Sequence, residues 1–97
     1  MSEFSVVLAP QAETDIAEAF EWYRGRSATA ADAFRTEALD AIDRLADAPT
    51  RWRMNEDGMR RRVLRHFPYS LVFEVLGNTV TVLAVAHDRR QPGYWRE

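Results

Sequence analysis

Late in the chain, two apolar and β-branched runs, Ser70 to Leu76 and Val80 to His87, are separated only by a short linker built on Gly77-Asn78. Residues of this type tolerate positive φ, and a tight loop of them matches the twist of the strands it joins, so the stretch reads as a β-hairpin. In the first run Leu71, Phe73 and Val75 share a face opposite Ser70, Val72 and Glu74, so one side is drier; Glu74 is expected to pair with an arginine on a neighbouring strand. The second run, VTVLAVA, is almost entirely apolar. Such a strand belongs inside a sheet, with at least one face covered by another layer.

The first half of the chain supplies that cover. Phe4 to Leu8 is a short apolar strand, and Pro10 ends it by withholding a backbone donor. From Pro10 the period changes: Ala12, Ile16, Ala19, Phe20 and Tyr23 recur at helical spacing, Glu13, Glu18 and Glu21 fall elsewhere, and Pro10 suits a first helical turn. This helix stops near Gly25. Ser27 or Thr29 caps a second helix, whose stripe is Phe34, Ala38, Ala41, Ile42 and Leu45 and which Pro49 ends. The short link makes the two helices an antiparallel hairpin, with Glu37, Asp40, Asp43 and Asp47 as its solvated side. Pro49 to Gly58 is polar and unpatterned, a surface connection. A strand from Arg61 to His66 then leads into a Phe67-Pro68-Tyr69 corner. The order is β-α-α-β-β-β, an α+β fold in which the helix hairpin packs on a mainly antiparallel four-stranded sheet.

A length of 97 residues with 46% hydrophobic content supports one core, so a single domain should span residues 1–97. The absence of cysteine excludes disulfides and thiolate metal sites, and two histidines leave little to hold a transition metal; no cofactor is expected. No apolar run is long enough to span a bilayer and the first residues lack a signal-peptide pattern, which predicts a cytoplasmic protein without a membrane partner. Phosphate-binding glycine loops and nucleophile elbows are missing too.

The net charge of −2 conceals a division. Residues 1–50 carry ten acids against four arginines, a charge of −6, and residues 51–97 carry nine arginines against five acids, a charge of +4. Such polarity suits an anionic partner at one face. All thirteen basic residues are arginine, so each cation brings a planar fork that can grip phosphate or carboxylate.

Alternation along a strand sends Arg60 and Arg62 one way and Arg61 and Arg65 the other. Trp52, between Arg51 and Arg53, either stacks on a partner or folds back over the core edge. Arg89-Arg90 beside Tyr94 and Trp95 interleaves charge with aromatic rings. His66 and His87 fall at one end of the meander, about 10 Å apart if they are two strand spacings from each other. Two such imidazoles could serve as base and acid in metal-free RNA cleavage, with arginines stabilising the phosphorane. Alternatively each histidine ends a strand and hydrogen-bonds to backbone or to Asp88.

Taken together, Leu8-Ala9-Pro10-x-Ala12, Asp15-Ile16, Tyr23, Arg60, Phe67-Pro68-Tyr69 and, most specifically, Ala86-His87-Asp88-Arg89-Arg90-Gln91-Pro92-Gly93-Tyr94-Trp95 resemble the RelE/ParE superfamily of bacterial type II toxins, closest to its ParE-like branch. The resemblance implies a cognate antitoxin, a hetero-oligomeric complex with it, and growth inhibition by one of two routes. The ParE-like route binds DNA gyrase, and Arg60, Arg61, Arg89, Arg90, Trp95 and Trp52 are then the candidates for binding target or antitoxin. The RelE-like route cuts mRNA on the ribosome, and His87, Arg62, Arg65 and Tyr94 would be the catalytic set. The lysines typical of one RelE-like active site have no counterpart, because the chain has no lysine. A third possibility implied by the resemblance is a non-toxic module that keeps only the regulatory complex.

Overall fold

The computed structural model describes residues 3–89. Its elements are β1 (Ser5–Leu8), α1 (Pro10–Arg24), α2 (Ala28–Arg44), two single 3-10 turns (Leu45–Asp47 and Pro49–Arg51), β2 (Arg60–Val63), β3 (Tyr69–Leu76) and β4 (Thr79–His87). The sheet runs β1-β4-β3-β2. β2, β3 and β4 form an antiparallel meander, and β1 joins the far side of β4 in parallel, from Ser5 opposite Thr79 to Leu8 opposite Val82. The apolar β4 is therefore an interior strand, as its composition predicts.

Local chemistry accounts for the boundaries. Pro10 occupies the first turn of α1, where its missing N–H has no intrahelical partner to lose. Of the two candidate caps for α2, Ser27 is the one used: its hydroxyl accepts from the Ala30 amide at 3.2 Å. Between the helices the amides of Arg26 and Ser27 both donate to the Tyr23 carbonyl at 2.8 Å, which makes the link tight and the helices antiparallel neighbours. In the β3–β4 turn only Gly77 takes a positive φ, +59°, and Asn78 does not. That is the pattern of a type II′ turn, with glycine at its first central position.

β4 carries one irregularity. Val72 lies opposite Ala84 but Phe73 lies opposite Val82, so Leu83 is an extra residue in the ladder. The bulge resets the alternation, and Val80, Val82 and Val85 all reach the same buried cluster. That cluster joins Ala12, Ile16 and Ala19 of α1 to Phe34, Ala38, Ala41 and Ile42 of α2 and to Leu71 and Phe73 of β3. The helical stripes are those the spacing predicts, except that Phe20 and Tyr23 are only half-buried.

β2 is shorter than the sequence suggests, ending at Val63 and not at His66. Leu64 still donates to β3, to the Tyr69 carbonyl at 2.9 Å, and pairing stops there because the next two amides, of Arg65 and His66, turn away and donate to Glu37 of α2. Glu74 also departs from expectation. Its cross-strand neighbour is Thr81, and among the described residues no arginine lies within ion-pair distance of it.

Candidate functional site

The Phe67-Pro68-Tyr69 corner is seated by rings. Phe67 meets Tyr23 edge-on at 5.2 Å and Phe34 at 5.4 Å, while Tyr69 lies 5.2 Å from Phe34 and 5.0 Å from the ring of His87. Aromatic pairs at these separations attract beyond the area they bury. From the other side Glu37 clasps the corner, its carboxylate accepting from the Arg65 amide at 2.6 Å and the His66 amide at 3.1 Å and meeting His66 Nδ1 at 2.7 Å. Glu37 is thus a latch between α2 and the corner, where the acid pattern of the helix predicts only solvent.

Burial works against the charged form of Glu37, but the hydrogen bonds from the His66 ring and the two amides, with the attraction of His66, outweigh it and hold the carboxyl below its ordinary value. A carboxyl with a depressed folded value stabilises the fold fully above its unfolded value, and that contribution disappears as the pH falls through the folded value. Glu37→Gln should therefore be less stable than the parent by about 1–2 kcal/mol at neutral pH. The gap should close as the pH drops below 4.5, the ordinary value of this carboxyl. Urea unfolding of both proteins at neutral and acidic pH measures it; a gap that is the same at both would mean the charge contributes nothing.

Between α1, the corner and the end of β4 lies a cleft of about 510 Å³, lined by Asp15, Glu18, Trp22, Tyr23, Tyr69, His87 and Arg89 among others. β1 gives out at Leu8, so beyond Val82 the near edge of β4 has no strand beside it. Asp15 of α1 takes over there. It is 4% exposed, and its carboxylate accepts from the Val85 amide at 2.9 Å and from Gln11 at 2.7 Å. Burial raises the Tyr23 phenol above its ordinary value, so this hydroxyl stays protonated in the cleft. His87 is half-buried, and its Nδ1 accepts from the Arg89 amide at 3.1 Å. A neutral His87 ring must then carry its proton on Nε2.

The arginines divide as the alternation predicts. Arg60 and Arg62 face the helical layer: Arg60 donates to the carbonyls of Thr50 at 3.2 Å and Trp52 at 2.6 Å, and Arg62 to the Ala41 carbonyl of α2 at 3.0 Å. Arg61 faces the other way and pairs with Asp88 at 3.3 Å, whose carboxylate also accepts from Ser70 at 2.6 Å. Arg65 is past the strand, in the corner held by Glu37. Trp52 folds back over the core edge, its ring 6.2 Å from that of Phe73 and half-buried. Arg51 and Arg62 lie over the same indole, 4.4 and 5.1 Å from its centroid. Burial first, and then the positive charge of Arg51 and Arg44, draws the Arg62 guanidinium below its ordinary value, with Asp40 and Glu37 acting in the opposite direction.

Several sequence candidates are therefore dispersed. His66 and His87 do come to one end of the sheet, but the first ring is held by Glu37 of α2 and the second by Tyr69 and Arg89. Arg62 is committed to α2 and Trp52, and no hydrogen bond, ion pair or ring contact joins it to His87. Arg90, Tyr94 and Trp95 lie outside the described residues. Asp15 and Glu37 are the residues that sequence reasoning missed.

Among solved structures the chain is similar to a protein of the chromosomal ParDE toxin-antitoxin system from P. aeruginosa, at 18% identity and a TM-score of 0.79, over 88% of this chain and 96% of that one. That likeness establishes the fold. No curated protein matches the chain. The model of the family described as the ParE toxin of the type II toxin-antitoxin system parDE matches residues 6–92, from β1 past the end of β4. The chain belongs to the ParE toxin family of type II toxin-antitoxin systems.

Proposed function

We propose that this toxin stops growth by binding DNA gyrase, and that its cognate antitoxin silences it by covering the same surface. The contact between the Arg89 amide and His87 Nδ1 is the observation that carries a binding mode of action. With Nδ1 accepting from that amide, a neutral ring carries its proton on Nε2 and acts there as a hydrogen-bond donor. A general base must be within hydrogen-bond reach of the proton it takes, with a free lone pair. Arg62, another member of a conceivable RNA-cleaving set, stands on β2, two strands from the β4 strand that ends in His87. The cleft, with its rings and its donors from His87 and Arg89, suits recognition of a protein surface.

The test is induced expression without antitoxin, followed by gyrase supercoiling and ribosome-bound mRNA cleavage measured on the same cells. Loss of supercoiling with intact mRNA is the expected result, and codon-positioned cuts with normal supercoiling would overturn it. His87→Ala separates the modes further. Acid-base catalysis by this ring would lose about a hundredfold or more, whereas a binding surface that keeps Tyr69 and Arg89 is expected to lose about tenfold or less, the worth of one hydrogen bond.

A further inference from the structure

The second 3-10 turn, the loop after it and β2 bring two guanidinium groups over one indole, those of Arg51 and Arg62 at Trp52, with a third, Arg60, tied to the Trp52 carbonyl and Arg53 next to it in the chain. None of the four is in an ion pair among the described residues. The two carboxylates that influence Arg62 are already engaged, Asp40 by Arg44 at 2.9 Å and Glu37 by His66 and the corner amides. A half-buried cation held among like charges, with only one of its five donors used on Ala41, is poised for an anion.

We propose that this corner of Arg51, Trp52, Arg53, Arg60 and Arg62 is a carboxylate-binding site that takes an acidic polypeptide segment of a protein partner. The proposal rests on the reading of the chain as a protein-binding toxin. Guanidinium forks held over an indole present planar, bidentate donors to carboxylates. The ring already serves Phe73 and two guanidinium groups, so it is no bare platform for a nucleobase. Charge also selects the occupant. A nucleic acid carries a charge about every 1.7 Å of duplex and runs on beyond any small patch. Here it would meet α2 with its exposed Asp40 and Asp43, in a half-chain of charge −6. A short acidic segment of a folded partner can fill the patch and stop.

Fluorescence anisotropy with the full-length toxin and a fluorescein-labelled ten-residue polyglutamate peptide tests this, with labelled single-stranded RNA and DNA of ten nucleotides as rivals. The wild type should bind the peptide in preference to either oligonucleotide, and binding should fall in high salt. Arg51→Ala removes an exposed side chain that makes no hydrogen bond among the described residues, so it should fold normally and weaken the peptide about tenfold. Arg62→Gln should weaken it at least as much, and Arg35→Ala, an exposed arginine on α2, should change nothing. No peptide binding, equal binding by Arg51→Ala, or preferred binding of RNA or DNA would each overturn the proposal. If the antitoxin still forms a complex while the peptide fails, this site is wrong and the protein-binding reading stands; if the toxin captures no antitoxin at all, that reading fails first.

Discussion

Phe34→Ala is expected to cost about 3–5 kcal/mol of folding stability. The side chain is fully buried, and its ring lies within 5.5 Å of Tyr23, 5.4 Å of Phe67 and 5.2 Å of Tyr69. Truncation forfeits the transfer energy of the ring and opens a cavity that three large neighbours cannot all fill without leaving their rotamers. A domain of this size has a total of about 5–15 kcal/mol to lose, so the variant should show a marked drop in urea midpoint and a measurable unfolded fraction. Phe67 and Tyr69 of the corner and Tyr23 of the cleft all rest on this ring. Target binding should therefore weaken even under conditions where the variant remains folded. A loss below about 1 kcal/mol would mean that the site collapses readily and that the cluster is not the support described here.

The second large effect is expected at Asp15. Asp15→Ala should cost about 2–3 kcal/mol, because it removes a charged acceptor and leaves the Val85 amide without its partner inside the protein. Asp15→Asn keeps a carbonyl oxygen for that amide and should recover about half of the loss. The local consequence can be read separately from the global one. Hydrogen exchange at Val85 should accelerate in Asp15→Ala beyond the change in overall stability, since this carboxylate closes the edge of β4 that β1 leaves open. Unchanged exchange at Val85 in a destabilised variant would place the energy of Asp15 elsewhere.

Most of the architecture was legible because it rests on short-range rules. Pro10 in a first turn, Phe34, Ala38, Ala41 and Ile42 on one stripe, the Gly77-Asn78 turn and an almost wholly apolar β4 each fix an element without reference to the rest of the chain. The departures all involve long-range acceptors. β2 ends early because Glu37, 28 residues before Arg65, takes the amide that would have continued the ladder. Asp15 could have been suspected, since an acid three residues after Ala12 and four before Ala19 lies on the apolar side of its helix, where a carboxylate must have a donor. Its partner Val85, 70 residues away, could not have been named. At the candidate site, the alternation of Arg60, Arg61 and Arg62 was correct from the strand period alone. The strand pattern brought two histidines to one end of the sheet, but what each ring touches, Glu37 for His66 and Tyr69 and the Arg89 amide for His87, depends on contacts that no strand pattern contains.

The parallel pairing of β1 with β4 sets an order of assembly. The helix hairpin and the β2-β3-β4 meander join neighbours in the chain, but Ser5 meets Thr79 only after both helices, β2 and β3 have been made. Contacts so distant carry the largest loop-closure cost and form late. On the ribosome the first strand emerges first and must wait for the last one, so the sheet cannot close on a nascent chain that has not yet delivered β4. For a member of a toxin family, this connectivity ties closure of the sheet to the synthesis of β4 and delays the folded form until that strand is in place.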